Sequence, residues 1–435
     1  MTAPIVVTID MGYGHLRAAK AVADALGVPS LQIDKPPLAD EDDQKAWARS
    51  RRFYEMTSRM SQVPLVGGPF RGILDSLTSI PHLHPYRDLS APHVGVKMLD
   101  RTIQRGLGAG LVRYLRDTKA PLVTTFYAPA IIADRAGLPN VYCVVTDADI
   151  NRVWAPIEPK RSRIQYFAPT QRAKRRLEAY GVISDNIHVT GFPIAEALIG
   201  GPSLARAKEN LAARLVRLDP DGVFRLDAAQ EIEHFLGPLP ADQREAPHLT
   251  FAVGGAGAQA DVAKHFLPSL RGALASGRLK LTLVAGLRQH VADMFAEWLH
   301  EFSMSDLVGH GIDILLAADF DSYYARFNAT LARTDFLWTK PSEMTFYGAL
   351  GIPLVLSWPV GVHERYNRRW AIENGAGMKQ RDPRYAGEWM HELLADGTFA
   401  AAAWHGFTRM PKFGTQRISE MLKALAPLAV VRDAG

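Results

Sequence analysis

The sequence predicts an α/β protein with two doubly wound parallel sheets, each covered by helices. Residues 1–200 alternate short strands, apolar throughout, with helices, and the same alternation starts again near residue 248. Strands without a polar face are typical of parallel sheets that helices cover on both sides. A chain of 435 residues is also longer than one hydrophobic core usually supports, so two or three domains are expected.

The first half contains five predicted strands, in the stretches IVVTI, LVTTF, VYCVVTD, IQYFAP and NIHVTG. A helix is predicted over Leu16–Leu26, directly after the first of them. The helix in TQRAKRRLEAYG has Thr170 as its expected N-cap and Gly181 just past its end. Residues 36–115 interrupt this alternation with prolines and arginine clusters. We expect them to form helices and loops inserted at the ligand edge of the sheet.

The second half repeats the alternation, with strands predicted in LTFAVGG, LKLTLVAG, GIDILLAAD, DFLWTK and PLVLSWP. Ligands of such sheets bind beyond the carboxyl ends of the strands, and two units that face each other would place a site in the cleft between them. The predicted organisation is a first domain over 1–200, a helical segment and linker over 201–247, and a second domain over 248–405. The C-terminal helix, over 406–435, is a candidate to pack back on the first domain.

Composition narrows the class of protein only a little. The net charge of +5 permits anionic partners such as lipid surfaces, nucleotides or RNA without choosing among them. The single cysteine, Cys143, excludes an intrachain disulfide and a cysteine zinc site, and its apolar neighbours predict buried packing. No secretory signal pattern and no apolar run of membrane-spanning length is present, so we expect a cytoplasmic protein.

The turn after the first strand, MGYGH, carries Gly12, Tyr13, Gly14 and His15. Three interpretations are open at this point: a phosphate cradle, a catalytic histidine on a turn, or an ordinary tight turn. The later stretch AVGGAGAQ also joins a strand to a helix, and its glycines would let backbone N–H groups approach an anion. It matches neither the dinucleotide fingerprint nor the P-loop, and a plain turn is equally open.

The stretch WTKPSEMTFYG is the most informative one. Lys340 ends a predicted strand, Ser342 begins a helix, and Glu343 and Thr345 lie in its first turn. These residues suit an ordinary helix start. They also suit a nucleotide site, because a carboxylate can accept two ribose hydroxyl groups while N–H groups and a threonine hold a diphosphate. The stretch PVGVHERYN offers further polar groups at another carboxyl end: His363, Glu364 and Asn367.

Two further features allow both a structural and a functional interpretation. Asp147 and Asp149 follow a strand, where they could bind a metal, act as a base or simply form a turn. We favour a function for Asp147. A basic run spans residues 160–176, and it suits a solvated helix face or, as the alternative, contact with anionic lipid. No RNA-binding signature accompanies it, so no nucleic-acid partner is expected.

Taken in order, these motifs resemble the GT-B glycosyltransferases of the monogalactosyldiacylglycerol synthase and MurG type. The order is GYGH, VVTD, then FAPT with RLEAYGV and VTGFPI, then GGAGA, and finally TKPSE with GIPLVL and NGAG. The resemblance spans most of the chain outside 36–115 and 200–247, and it is strongest in 141–194 and 335–377. It implies two Rossmann-like domains and a UDP-sugar donor.

The resemblance also implies roles for single residues. His15 would be the general base toward the acceptor hydroxyl, Arg288 would approach the nucleotide, and Glu364 would lie near the sugar. Tyr13 departs from the family, which has glycine there, and Glu343 is our substitute for the family's ribose-binding glutamate. The predicted site comprises His15 and Asp147 as catalytic residues, Gly12, Tyr13 and Gly14 on the acceptor side, and, for the nucleotide-sugar, Gly254, Gly255, Gly257, Gln259, Arg288, Thr339, Lys340, Ser342, Glu343, Thr345, His363, Glu364 and Asn367.

The predicted function is a glycosyltransferase that moves a sugar from a nucleotide diphosphate sugar to an acceptor hydroxyl, with inversion and without a metal or other cofactor. The expected acceptor is a lipid, a sugar or another small molecule. The basic run and the apolar loop VPLVGGPFRGIL would allow peripheral contact with the cytoplasmic face of an anionic membrane. Two alternatives remain open: a nucleotide-sugar epimerase or hydrolase on the same fold, and a non-catalytic protein that binds a nucleotide-sugar or lipid.

Overall fold

The computed structural model describes residues 2–49, 79–241, 245–254, 257 and 259–432. The loop VPLVGGPFRGIL and Gly255, for which the sequence predicted roles, lie outside the described residues. The chain divides into two compact units. Unit 1 comprises Met1–Ile194, Val360–Asn367 and Phe413–Gly435, whereas unit 2 comprises Ala195–Pro359 and Arg368–Lys412.

The sheet of unit 1 has six parallel strands in the order β2-β1-β3-β4-β5-β6. The order reverses between β1 and β3, which are neighbours in the sheet although their connections leave in opposite directions. This pair is therefore the topological switch point of unit 1. The strands are β1 (Ile5–Thr8), β2 (Ser30–Gln32), β3 (Leu122–Thr124), β4 (Val141–Val144), β5 (Gln165–Ala168) and β6 (Ile187–Val189).

Helices cover both faces of this sheet. Val6 and Val7 are adjacent in β1 but belong to different hydrophobic clusters, as the alternation of side chains along a strand requires. The C-terminal helix joins the cluster of Val6, to which it contributes Ile418 and Leu422. The α-helices of unit 1 with complete bounds are α1 (Tyr13–Leu26), α2 (Val94–Gln104), α3 (Ala109–Thr118), α4 (Tyr127–Arg135), α5 (Gln171–Ala179) and the C-terminal helix (Gly414–Arg432).

The sheet of unit 2 also has six parallel strands, in the order β12-β11-β10-β7-β8-β9. Its switch point lies between β7 and β10, from which the strand order runs outward in both directions. The strands are β7 (His248–Ala252), β8 (Lys280–Gly286), β9 (Ile312–Leu316), β10 (Phe336–Thr339), β11 (Leu354–Leu356) and β12 (Gly377–Lys379).

The helices of unit 2 begin directly after the first unit ends. A single large cluster that includes Phe251, Phe266 and Trp338 forms its core. The α-helices are α6 (Glu196–Ile199), α7 (Ala205–Arg217), α8 (Val223–Asp227), α9 (Ala229–Leu236), α10 (Val262–Ala275), α11 (Gln289–Glu301), α12 (Phe320–Arg333), α13 (Val362–Glu373), α14 (Ala386–Ala395) and α15 (Thr398–Arg409). The first half of α13 belongs to unit 1, and its second half belongs to unit 2.

The predicted fold class is confirmed, and each strand predicted from the sequence is present. Thr170 is the N-cap of α5, where its hydroxyl accepts a hydrogen bond from the N–H of Ala173. The helix expected to begin at Pro341 and Ser342 is present, with Ser342 as its N-cap, and it is a 3₁₀-helix over Glu343–Leu350. In the predicted insert, the buried Asp43 carboxylate accepts hydrogen bonds from the N–H groups of Gly108 and Gly110. Within the described ranges, no helix is both long enough and apolar enough to cross a bilayer.

Candidate functional sites at the two switch points

In each sheet, polar side chains lie in the loops at the carboxyl ends of the strands. In open parallel sheets, the loops that follow the two strands of a switch point diverge, and the crevice between them is the usual ligand site. In unit 1 these loops follow β1 and β3, and in unit 2 they follow β7 and β10. The motifs MGYGH, AVGGAGAQ and TKPSE occupy three of these four loops.

Two aromatic side chains that follow the turn after β1, those of Tyr13 and His15, differ in exposure. Gly12 has φ +130°, a conformation that residues with a side chain rarely adopt, and α1 begins at the next residue. Tyr13 is buried, with the Arg17 guanidinium 5.3 Å from its ring centroid. His15 is only half-buried. Tyr13 therefore serves packing, whereas His15 stays at the strand ends.

His15 is held by the loop that follows β3. Its Nδ1 lies 2.7 Å from the carbonyl oxygen of Thr125, and the Thr125 hydroxyl donates to the carbonyl oxygen of His15 at 2.9 Å. The ring also packs edge-on against Phe126, with centroids 5.2 Å apart. Because a carbonyl oxygen only accepts hydrogen bonds, Nδ1 carries the hydrogen, and Nε2 of the neutral ring is the basic nitrogen. The sequence predicted His15, but it gave no signal for Thr125 and Phe126.

Asp147 is hydrogen-bonded to a residue 220 positions later in the sequence. The amide of Asn367 donates from Nδ2 to Asp147 Oδ1 at 2.9 Å, and its Oδ1 accepts from the N–H of Ala148 at 2.8 Å. Asn367 is fully buried in this position. The preceding residue, Thr146, has its hydroxyl oxygen 3.4 Å from Nδ1 of His15. His15, Thr146 and Asp147 thus form one local group in unit 1.

His363, Glu364 and Asn367 were predicted to contact the nucleotide-sugar and lie in the predicted second domain, whereas the structure assigns Val360–Asn367 to unit 1. Glu364 is buried at the start of α13, where Oε2 accepts from the N–H of Val360 at 2.7 Å and lies 3.4 Å from that of Gly361. This is the usual arrangement of a carboxylate at a helix N-terminus. His363 is half-buried beside Gly361.

The carboxylate of Asp149 forms a buried ion pair and so has a structural role. It is fully buried and accepts two hydrogen bonds from Arg176, at 2.8 and 3.0 Å, and one from Arg172. The guanidinium of Arg172 also packs over the ring of Tyr366, 4.9 Å from its centroid. Two arginines of the basic run therefore serve a buried ion pair, and neither the solvated helix face nor lipid contact describes them.

In unit 2, the glycine loop after β7 meets a lysine from the loop after β10. The N–H of Gly257 donates to the carbonyl oxygen of Gly254 at 2.7 Å, and Gly257 and Gln259 both have positive φ, at +75° and +67°. A Cβ added to Gly254 would lie 2.6 Å from Cε of Lys340. A residue with a Cβ here would force the Lys340 side chain to shift, whereas glycine lets its ammonium group lie against the loop at the switch point.

The loop after β10 contains polar side chains that are nearly buried. Ser342 is 9% exposed, and its hydroxyl has no hydrogen-bond partner in the described part of the chain. Glu343 is also buried. The Thr345 hydroxyl donates to the carbonyl oxygen of Ser342 at 2.8 Å, and that of Thr339 donates to the carbonyl oxygen of Ala252 at 2.9 Å. The two threonines thus shape the loop, whereas Ser342 retains an unused hydrogen-bonding group.

Two further residues considered in the sequence, Arg288 and Cys143, differ in exposure. Arg288 is exposed after β8, directly before α11. Cys143 is fully buried in β4, and burial raises the pKa of its thiol, which makes it a packing residue. Across the described ranges, no group of three or more histidine, cysteine, aspartate or glutamate side chains is arranged to hold a metal ion.

Comparisons with known proteins place this geometry in a wider context. A family model described as a domain of unknown function, DUF6938, matches residues 241–405. Comparison of the sequence with curated proteins finds no match. The structure is similar to that of S. aureus MnaA with UDP, at a TM-score of 0.52 and 12% identity over 98% of both chains.

Two other solved structures align over nearly the whole chain. UDP-GlcNAc 2-epimerase from Neisseria meningitidis bound to UDP-GlcNAc has a TM-score of 0.50 and 13% identity, over 97% of this chain and 99% of the other. Acinetobacter baumannii MurG has a TM-score of 0.48 and 12% identity, also over 97% and 99%. The two likenesses at a TM-score of 0.50 or above, with the two six-stranded sheets, confirm the prediction from the sequence: the chain has the two-domain GT-B fold.

Proposed function

We propose that this protein is a glycosyltransferase that moves a sugar from a UDP-sugar to an acceptor hydroxyl, with inversion at the anomeric carbon. The observation that carries the proposal is the hydrogen bond from His15 Nδ1 to the Thr125 carbonyl oxygen, because it leaves a basic nitrogen at a switch point. The polar loops at the other switch point supply groups suited to a diphosphate. The S. aureus and N. meningitidis structures, which contain UDP and UDP-GlcNAc, support a UDP-sugar as the donor.

In the proposed reaction, Nε2 of His15 takes the proton of the acceptor hydroxyl as its oxygen attacks the anomeric carbon. The bond from that carbon to the diphosphate oxygen breaks, and UDP leaves with the bonding electrons. The ammonium group of Lys340, the hydroxyl of Ser342 and N–H groups of the glycine loop stabilise the negative charge. Asp147, fixed by Asn367, would orient the acceptor. These groups allow the chemistry to proceed without a metal ion.

The acceptor is proposed to be a lipid, a sugar or another small molecule with a hydroxyl group. Peripheral contact with the cytoplasmic face of an anionic membrane belongs to the same proposal. Sedimentation with phosphatidylglycerol vesicles tests it, because charge-driven contact weakens as salt is raised. Recovery of the protein in the supernatant at low salt would contradict this part of the proposal and would leave sugar transfer unaffected.

A second candidate is a UDP-sugar epimerase or hydrolase. It is favoured by one of the structures with a TM-score of 0.50 or above, that of N. meningitidis UDP-GlcNAc 2-epimerase. The two candidates differ when no acceptor is present. An epimerase or hydrolase converts its nucleotide-sugar at full rate, whereas a transferase is nearly idle.

The first experiment is a thermal-shift screen with nucleoside diphosphates and their sugars. Binding to the folded state raises the melting temperature by mass action, so UDP and at least one UDP-sugar should raise it. Product analysis by NMR, with and without candidate acceptors, then separates the two candidates. No response to any nucleotide would overturn the proposal, and retention of configuration would overturn inversion.

The residue test compares His15→Ala with His265→Ala. His265 is an exposed histidine of unit 2 whose Nδ1 also lies close to a backbone carbonyl oxygen, that of Asp261, at 2.9 Å. Loss of a general base should lower kcat by roughly 10²-fold or more, while the control variant keeps its activity. Equal activity of both variants would contradict the role of His15 and favour a binding protein.

A further inference from the structure

Trp358 is an unusually exposed aromatic residue at the ligand edge of unit 2. It is 66% exposed, whereas the other seven tryptophans of the chain are buried or half-buried. It lies two residues past the end of β11, the strand beside β10 in the sheet. Its indole therefore stands at the carboxyl end of the sheet, one strand away from the switch point.

The backbone of Trp358 is tied to the glycine loop. Nε2 of Gln259 donates a hydrogen bond to the carbonyl oxygen of Trp358. Gln259 follows β7, and Trp358 follows β11, while β10 lies between these two strands. The contact thus joins two loops on either side of the TKPSE loop, and it fixes the tryptophan beside the groups that we assign to the diphosphate.

The side chain is also held from one side. The guanidinium carbon of Arg368 lies 5.6 Å from the centroid of the indole, a cation–π contact. The tryptophan remains two-thirds exposed in spite of this contact. A large planar apolar surface is therefore held in place at a predicted ligand site and is left accessible.

We propose that the indole of Trp358 is the surface against which the sugar ring of the donor packs. This inference rests on the function proposed above. A diphosphate at β7 and β10 lies between the loop after β8, which carries the exposed cation of Arg288, and the loop after β11, which carries the exposed indole of Trp358. A cation suits the nucleotide end of the donor, so we place the nucleotide on the side of Arg288. The sugar then lies over β11, where the C–H face of a pyranose can cover the indole.

The test compares the affinities of Trp358→Ala and Trp358→Phe for UDP and for UDP-GlcNAc, measured by calorimetry. Trp358→Ala should weaken UDP-GlcNAc binding by roughly tenfold, which is the scale for covering an aromatic face, and leave UDP binding within about twofold. Trp358→Phe keeps an aromatic face and should retain most of the affinity. UDP-glucose as a second probe should show the same pattern.

Tyr385→Ala is the matched control. Tyr385 is 53% exposed and also has an arginine, Arg384, 5.7 Å from its ring centroid, but it lies outside the loops that follow β7, β10 and β11. This variant should bind both probes like the wild type. Equal losses of UDP and UDP-GlcNAc affinity in Trp358→Ala, or no loss at all, would overturn the inference. Failure of the wild type to bind either probe would instead overturn the proposed function, and the inference with it.

Discussion

His15 and Asn367 have comparable roles in unit 1, because each connects a strand-end loop to backbone that is distant in sequence. His15 contacts the carbonyl oxygen of Thr125, and Asn367 contacts the N–H of Ala148 as well as the carboxylate of Asp147. Hydrogen bonds that are buried or partly buried are costly to break when one partner remains. They should therefore contribute to stability as well as to the geometry of the site.

We predict that Asn367→Ala lowers the free energy of unfolding by about 2 kcal/mol, because Ala148 N–H and Asp147 would both lose a buried partner. Urea denaturation measures the change. The control is Asn374→Ala, which removes one hydrogen bond to the Trp370 carbonyl oxygen near the end of the same helix. If Asn374→Ala lowered the free energy of unfolding as much as Asn367→Ala does, the contacts of Asn367 with Asp147 and Ala148 would stabilise the fold no more than one ordinary hydrogen bond within the helix.

His248 provides a prediction about pH. Burial lowers its pKa from 6.5 to about 4, with further contributions from the charges of Arg333, Lys280 and Arg217. The unfolded chain then binds the proton more tightly than the folded chain. The free energy of unfolding should therefore be constant with respect to this group above pH 6.5 and fall between pH 6.5 and pH 4, by about 3 kcal/mol in total.

His248→Gln removes this titration while keeping a side chain that can bond to the Thr282 hydroxyl, which His248 contacts at 2.8 Å. Denaturation curves at several pH values should show a smaller loss of stability on acidification in the variant. Parallel pH profiles for the wild type and the variant would exclude His248 as a source of acid sensitivity.

Helix α5 illustrates how a charged element can be structural. Its sequence, QRAKRRLEA, is compatible with a solvated basic face, yet Arg176 is fully buried and paired with Asp149. The local sequence does not predict this ion pair, because Asp149 lies 27 residues from Arg176. What the sequence did reveal is the helix itself, through the N-cap Thr170 and the glycine past its end.

We predict that Arg176→Met lowers the free energy of unfolding by about 3 kcal/mol, because it leaves the Asp149 carboxylate buried with fewer partners. Arg175→Met is the control, since Arg175 is exposed on the same helix and should change stability by less than about 0.5 kcal/mol. Equal effects in chemical denaturation would contradict the buried pair.

At the scale of the whole molecule, unit 1 is completed by segments from the C-terminal part of the chain. The C-terminal helix adds Ile418 and Leu422 to the cluster that also contains Val6 and Ala19. These contacts join the two ends of the sequence within one core. The stability of unit 1 should therefore depend on residues that lie more than 400 positions from its first strand.

We predict that Ile418→Ala destabilises unit 1 by about 2–4 kcal/mol, the usual cost of truncating a buried isoleucine. Hydrogen exchange followed by mass spectrometry should locate faster exchange in unit 1, with unit 2 unchanged. The exposed Lys423, when replaced by alanine on the same helix, should have no such effect. Faster exchange in both units to the same extent would contradict the division of the chain into two units.

The fold could be predicted because parallel strands that are buried on both faces leave a strong apolar pattern. The edge strands β2 and β12 were missed, since each has only three residues and is no more than half-buried. The candidate site was predicted as a set of strand-end residues. The partners of these residues could not be predicted, because contacts with carbonyl oxygens and with residues some 220 positions away leave no local pattern.

The eight residues Val360–Asn367 have a practical consequence for protein engineering. The simplest chimera of a protein with two structural units joins the two parents at a single point in the sequence. Here such a chimera, joined near residue 194, would take these eight residues from the parent of unit 2, although their contacts are with unit 1. A functional exchange would need four junctions, so that Asn367 always comes from the same parent as Asp147.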